Sequence, residues 1–169
     1  AASLNYFIEV SKNDPARYKE LTSSFVVILK QIIEHKLPRD YDYHRMPAPW
    51  IQMKLMEILA FLGKDDEETS GQIYEVISNT LKRAEDLAIN IGHALVYQCI
   101  KTILSIYPHE PLLENISKSI SLFFSSESNN LKYIGVTALN SMLKIDLKYA
   151  EDHQGNVVEC LECSDDTLK

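Results

Sequence analysis

Cysteine is the residue type in this chain whose spacing comes closest to a chemical site. Cys160 and Cys163 are separated by two residues, which is a metal-ligand spacing. Zinc usually takes four ligands, but the sequence supplies only His153 nearby and no second CxxC pair. Two cysteines three positions apart on a helix also simply share a face. We therefore predict no metal site here.

The third cysteine, Cys99, falls on an apolar helical face and is predicted to be a buried thiol. Three cysteines cannot all pair within one chain, and the sequence has no cysteine-dense framework. A reducing compartment is therefore favoured.

Other catalytic patterns are missing from the sequence. The five histidines are scattered and form no HExxH pair. The five glycines are too widely spaced for a phosphate-binding loop. A Ser-His-Asp arrangement of residues distant in sequence stays open, although no nucleophile elbow is present. We predict a protein that is not an enzyme, with no catalytic, cofactor-binding or metal-binding residues.

Residues 37–46 form the longest predicted loop, and they contain the best candidates for recognition. The candidate interaction residues are Tyr41, Tyr43, His44 and Arg45. Tyrosine and arginine provide large, partly apolar contacts at binding hot spots. Loop aromatics also fold back to cover the end of a helical layer, which is their commoner role. Both interpretations are kept for these side chains.

The segment that follows the loop predicts two helices joined by a short link. Pro49 suits the first position of a helix, where its missing N–H has no partner to lose. Apolar residues then recur at helical spacing until Gly63, which can end the helix in the left-handed conformation. Asp65 is predicted to cap the second helix, with Glu68 completing a capping box. So short a link makes the two helices antiparallel neighbours.

The whole chain is predicted to be all-α, with about seven or eight helices. The first residues already resemble a helix cut in mid-course. The further helices are expected near 14–35, 49–62, 66–84, 87–106, 111–124, 129–144 and 147–163.

Apolar residues repeat at intervals near 40 along the chain, as in Leu59, Ile100 and Leu139. Such a period is typical of HEAT or armadillo repeats, in which each helix pair buries its apolar face against the next pair. We therefore predict an α-α superhelix, a single solenoid segment over 1–169. Gly135 inside a predicted helix is interpreted as a point of close helix approach, with a tolerated weakness of the helix as the alternative. The predicted core comprises Trp50, Leu55, Leu59, Leu62, Val96, Ile100, Ile103, Leu139 and Met142.

The charge distribution excludes two classes of partner. The net charge is −7, and the excess of acidic residues lies beyond residue 64. Nucleic acid and anionic lipid both reward clustered Lys and Arg, so we predict no nucleic-acid binding and no strong direct membrane binding. The longest apolar run, at 25–29, is far shorter than the roughly 20 residues of a membrane span.

Several motifs occur in an order that resembles a known family. They are PAPW at 47–50, LGKDD at 62–66, IYPHEPLLE at 106–114 and NLKYIGVTAL at 130–139. Together with the Tyr-His pair at 43–44, they resemble the trunk of the large subunits of heterotetrameric vesicle-coat adaptors. Within that family, the epsilon type of the AP-4 complex is the most similar. The resemblance runs from about residue 14 to residue 168.

This resemblance implies a non-enzymatic scaffold in vesicle-mediated intracellular protein transport. The implied partners are the small subunit for this segment, with the medium and second large subunits in the full complex. An Arf-type GTPase and cargo would bind parts not present here, because the chain is expected to be an excised middle part of the trunk. The implied location is cytoplasmic and peripheral, on trans-Golgi and transport-vesicle membranes. No cofactor is implied.

Two alternatives remain open from the sequence. An unrelated HEAT scaffold, such as a transport receptor or a phosphatase scaffold, would show the same helical periodicity. A regulatory helical domain of an enzyme would require a concave pocket with convergent titratable groups. No constellation in the sequence demands such a pocket.

Overall fold

A computed structural model describes residues 2–87, 89–163 and 165–168. Within them, eight α-helices have twelve residues or more, and one further helix is a single turn. The helices are α1 (Ala2–Asn13), α2 (Pro15–Tyr18), α3 (Thr22–Ile33), α4 (Pro49–Leu62), α5 (Glu67–Glu85), α6 (Asn90–Ser105), α7 (Glu110–Phe124), α8 (Asn129–Leu143) and α9 (Tyr149–Glu162). The prediction of an all-α protein of the helical-solenoid class is confirmed.

The chain divides into two compact units, residues 1–107 and residues 108–169. The expectation of one solenoid segment over 1–169 stays a prediction. In the first unit α1, α4 and α6 pack as one row, while α3 and α5 form a second row. The rows are joined because α3 packs on α4 and α5 packs on α6. This two-row stacking of helix pairs is the arrangement that the 40-residue period predicts.

Helix α4 runs through the centre of the first unit. Its buried side chains Leu55, Leu59 and Leu62 are fully inaccessible to solvent. The hydroxyl of Thr102 on α6 donates to the backbone carbonyl oxygen of Met56 on α4, at 3.2 Å. Apolar burial and this buried hydrogen bond together fix α6 against α4. The predicted contact between α4 and α5 also exists, but α4 packs more extensively on α6.

Eight of the nine predicted core residues are buried, and Trp50 is the exception. The buried ones are Leu55, Leu59, Leu62, Val96, Ile100, Ile103, Leu139 and Met142. The side chain of Trp50 is 51% exposed, so its assignment to the core is wrong. The reason is helical geometry: nine residues are two and a half turns at about 3.6 residues per turn, so Trp50 and the buried Leu59 point to opposite sides of α4.

The link between α4 and α5 differs from its prediction at the N-cap of α5 and at the C-cap of α4. Asp66, not Asp65, is the N-cap of α5, and its carboxylate accepts from the backbone N–H of Thr69 at 2.8 Å. The ammonium group of Lys19 also donates to this carboxylate. The hydrogen bond from Lys19, followed by the one from Thr69, lowers the pKa of Asp66 to about 2. Asp65 instead makes the turn itself, with a φ of 56°.

Gly63 is not in the left-handed conformation, because its φ is −85°. Glycine is needed at this position because a side chain would have no room. A Cβ atom there would lie 2.8 Å from Cγ2 of Ile106 and 3.0 Å from Cδ1 of Ile73. Close packing, rather than backbone conformation, therefore requires glycine at the end of α4.

The predicted helix over 14–35 is interrupted. Asp14 caps α2 through a 3.4 Å hydrogen bond from the backbone N–H of Arg17, and Pro15 is the first helical residue. A 3₁₀ turn, Lys19–Leu21, then separates α2 from α3.

The second unit contains α7, α8 and α9, each packed against the other two. Gly135 lies inside α8, where a Cβ atom would be 3.3 Å from Cβ of Phe123 on α7. The close helix approach read from the sequence therefore occurs at this glycine. Additional methylene groups are not accommodated at such a contact without movement.

Candidate interaction surface

The loop between α3 and α4 is a small hairpin with an unusual turn. Strand β1 (Asp42–Tyr43) pairs antiparallel with β2 (Met46–Pro47), so that Tyr43 is opposite Met46. The two turn residues, His44 and Arg45, have φ values of 49° and 69°. Positive φ at both central residues is the mark of a type I′ hairpin turn, which normally favours Asn-Gly.

Backbone strain is concentrated around this hairpin. Among the described residues, five non-glycine residues have positive φ, and four of them are His35, His44, Arg45 and Ala48. A non-glycine residue in the left-handed region costs roughly 1–2 kcal/mol. Such strain persists only where the surrounding structure fixes it, and it is often found at functional sites.

Buried groups at the base of the hairpin hold this conformation. Met46 and Ala48 are each 3% exposed. The N–H of Ala48 donates to the carbonyl oxygen of Tyr41 at 3.0 Å. The amide of Gln52, itself buried, donates to the carbonyl oxygen of Pro47 at 2.6 Å. The tip is therefore presented on a rigid base.

Aromatic side chains cover the outer side of the hairpin. The ring centroids of Tyr43 and Trp50 are 4.9 Å apart, and those of Tyr43 and His44 are 4.4 Å apart, both edge to face. Tyr41 is also exposed. We call the exposed side chains of Tyr41, Tyr43, His44, Arg45 and Trp50 the hairpin surface. Edge-to-face pairs of this kind are favourable beyond the area that they bury.

A groove of about 180 Å³ borders the hairpin surface. It lies between Tyr43 and His44 on one side and Ile89, Asn90 and Ile91 at the start of α6 on the other. Ile89 is partly exposed, so the groove has an apolar wall open to solvent.

A cationic depression of about 710 Å³ lies beside Arg45 of the turn. Its lining side chains are His35, Leu37, Arg39, Asp42 and Arg45. Within the described part of the chain, neither guanidinium group of this depression is in a salt bridge. The guanidinium of Arg83 donates to Nε2 of His35, which lines the depression.

Three of the four interaction residues predicted from the sequence, Tyr43, His44 and Arg45, are thus on the hairpin, and Tyr41 ends the 3₁₀ turn (Arg39–Tyr41) that precedes it. Arg39 belongs to the loop that the sequence singles out for recognition, although it is not among the four named candidates, and Trp50 of the same region was assigned to the core instead. Helical spacing alone would have placed Trp50 on the outer side of α4, whereas nothing local in the sequence brings Ile89 and Ile91 to the groove.

The cysteines and histidines do not form a second site in the described residues. No group of three or more potential metal ligands occurs there. Burial raises the pKa of the Cys99 and Cys160 thiols, which disfavours the reactive thiolate. His153 is 1% exposed, and its Nε2 is 2.9 Å from the hydroxyl oxygen of Ser117. Burial lowers the pKa of His153.

Among the described helices, none combines the length and apolar character that crossing a bilayer requires.

Comparison with known proteins gives one family. Residues 1–168 match the family described as adaptin N terminal region. The chain is 45% identical over 169 residues to the AP-4 complex subunit epsilon-1 of Mus musculus, covering 100% of this chain and 15% of that protein. It is 46% identical over 168 residues to the AP-4 complex subunit epsilon of Arabidopsis thaliana, covering 99% of this chain and 18% of that protein.

A more distant relative is also a subunit of an AP complex. The AP-1 complex subunit gamma of Dictyostelium discoideum is 24% identical over 170 residues, covering 99% of this chain and 19% of that protein. The chain therefore spans less than a fifth of the length of these curated relatives.

Proposed function

This chain belongs to the adaptin N-terminal region family, and on that premise we propose that it is a non-enzymatic scaffold segment of an adaptor-complex large subunit in vesicle-mediated protein transport. The single observation that carries the proposal is identity of 40–46% to epsilon subunits of AP-4 complexes over at least 96% of the chain. The family disfavours an unrelated transport receptor or phosphatase scaffold.

The helix rows of the first unit support a scaffold role physically. Stacked helix pairs bury continuous apolar seams between them, and their outer faces then hold partners at fixed separations. The seam residues Leu55, Leu59 and Leu62 are fully buried, which makes α4 a rigid central element. A rigid support suits assembly of subunits because less freedom is lost on binding.

We further propose that the complex is of the AP-4 type and that this segment contacts its small subunit. The medium and second large subunits would contact other parts of the assembled complex. An Arf-type GTPase and transmembrane cargo would bind outside this segment. The location would be cytoplasmic and peripheral, on trans-Golgi and vesicle membranes.

An apolar face on α3 is a suitable surface for the small subunit. Val27 and Ile28, which are neighbours on α3, are 52% and 42% exposed. Beside them, a groove of about 100 Å³ runs between α3 and α5. It is lined by three apolar side chains (Val26, Ile33 and Val76) and by five polar or charged ones (Lys30, Glu34, Gln72, Glu75 and Asn79). Together with the apolar part of the groove, these side chains offer a surface that a partner subunit could cover.

Co-expression tests the proposal directly. The chain would be produced with the small, medium or second large subunit of AP-4, one at a time, and purified through a tag on the chain. We expect the small subunit to co-purify, and Val27→Glu with Ile28→Glu to abolish its recovery while the helical circular dichroism is unchanged. The small subunit of an AP-1 complex is the specificity control. Failure of every AP-4 subunit to co-purify would refute the proposed assembly.

A further inference from the structure

Beyond the scaffold role, we propose that the hairpin surface, its groove and the cationic depression form a docking site for a short acidic peptide segment of a partner protein. An aliphatic or aromatic side chain of that segment would enter the groove beside Tyr43 and Ile89. Its carboxylates would bind the guanidinium groups of Arg39 and Arg45.

Charge complementarity identifies the ligand as acidic. The whole chain has a net charge of −7, yet the lining of the depression contains two guanidinium groups, those of Arg39 and Arg45, against the single carboxylate of Asp42. A planar guanidinium group binds a carboxylate through two parallel hydrogen bonds. Both arginines are free of salt bridges in the described chain, so a ligand does not have to displace an internal acid.

The exposed aromatic side chains of the hairpin surface indicate that the same ligand also has an apolar part. Tyr43 and Trp50 remain 44% and 51% exposed although they pack on each other. Tyrosine, tryptophan and arginine are the residue types enriched at binding hot spots. Together with the apolar wall at Ile89, they suit a side chain such as leucine or phenylalanine.

The turn places the two parts within reach of one short segment. His44 lines the groove and Arg45 lines the depression, and consecutive Cα atoms are about 3.8 Å apart. An extended peptide advances about 3.3 Å per residue, so about five residues can contact both parts. The strained turn is held by a buried base, so the site exists before the ligand binds.

A peptide fits these features better than an anionic membrane does. Asp42 lies within the depression itself, and the exposed Asp40 is next to Arg39. A bilayer rewards a dense cluster of Lys and Arg and is repelled by a chain of net negative charge. Two arginines in a depression, next to a turn that also borders a groove with an apolar wall, suit a defined acidic segment instead.

The only tryptophan of the chain provides the readout, because Trp50 is part of the site. The 169-residue chain would be titrated with the capped peptide acetyl-Glu-Asp-Glu-Leu-Phe-Glu-Asp-amide while the tryptophan fluorescence is recorded. We expect a saturable change that weakens as salt is added, since the contacts are exposed ion pairs.

Matched variants distinguish binding at this site from a general attraction between the acidic peptide and positive charges of the chain. We expect Arg39→Ala with Arg45→Ala to weaken binding about tenfold, which corresponds to about 1.4 kcal/mol. Lys12→Ala with Lys64→Ala removes the same charge at exposed positions outside the depression and should change the affinity less than twofold. Replacing leucine and phenylalanine in the peptide by serine should also weaken binding. Circular dichroism would verify that each variant is folded.

Three results would overturn the proposal. They are the absence of a saturable change, an equal loss in both double variants, and no effect of the serine peptide. A membrane site would be indicated instead if vesicles of phosphatidylcholine and phosphatidylserine bound the chain through the two depression arginines without competition from the peptide. Recovery of the small subunit by the Arg39→Ala and Arg45→Ala variant keeps this test independent of the scaffold proposal.

Discussion

The side-chain amide of Gln52 donates a buried hydrogen bond of 2.6 Å to the backbone carbonyl oxygen of Pro47. Gln52 is on α4, and Pro47 belongs to the second strand of the hairpin. The bond therefore joins the rigid centre of the first unit to the loop that carries the exposed aromatic and arginine side chains. It is one of the contacts that offset the strain at His44 and Arg45.

Removing this bond should destabilise the protein. Gln52→Ala leaves the carbonyl group of Pro47 buried without its side-chain partner, and an unsatisfied buried polar group costs about 1–3 kcal/mol. We expect a loss of unfolding free energy in that range, measured by urea denaturation. Gln31→Ala, at an exposed position of α3, is the control and should change stability by less than about 0.5 kcal/mol. Equal losses in the two variants would show that the amide does not fix the hairpin.

The sequence predicts α4 well because its signals are local. Pro49 begins the helix and Leu62 ends it, as the proline and the apolar spacing indicate. The hairpin could not be predicted, because it lacks such local signals. Its strands have only two residues each, and its turn is built from His44 and Arg45 in place of Asn-Gly, so neither alternation nor turn chemistry reveals it.

Trp50 and Gly63 show where residue type misleads. A large aromatic residue beside an apolar run suggests the core, but its position on the helix decides its exposure. A glycine at a helix end suggests a left-handed cap, whereas here it makes room for Ile106, a residue 43 positions further along the chain. Contacts so distant in sequence leave no signal in a single local window.

Gly63→Ala should therefore destabilise the first unit even though alanine favours helix. The new methyl group would lie 2.8 Å from Cγ2 of Ile106, and overpacking of this kind costs about 1–3 kcal/mol. Gly71→Ala is the matched control, because a Cβ atom there meets nothing within 4 Å. Inside α5 that change should add about 0.5–1 kcal/mol. Urea denaturation measures both, and a stabilising Gly63→Ala would contradict the packing explanation.

A charge in the helix seams should prevent folding. Leu59 is fully buried on α4 and Leu139 is 3% exposed on α8, so an aspartate at either position would be buried without a partner. We expect Leu59→Asp and Leu139→Asp to lose most of their helical circular dichroism or to aggregate. Leu122→Asp is the control, since Leu122 is 63% exposed and should tolerate the charge. A soluble and fully helical Leu59→Asp protein would show that this seam does not hold the first unit together.

The buried His153 should make the stability of the protein depend on pH. Its ring lies near Phe124, with centroids 5.9 Å apart, and burial lowers its pKa although Asp152 acts in the opposite direction. Above the unfolded pKa of about 6.5, the histidine is neutral in both states and has no effect. Below it, the unfolded chain binds a proton that the folded state disfavours, so the free energy of unfolding falls with pH.

A variant without this titrating group isolates the effect. We expect His153→Phe to lose less stability than the unaltered chain when urea denaturation is compared at about pH 7.5 and about pH 5.5. If His153→Phe shows the same fall between the two pH values, the acid sensitivity of the fold arises elsewhere. If the fall disappears, proton uptake by this one ring on α9 sets the acid limit of the second unit.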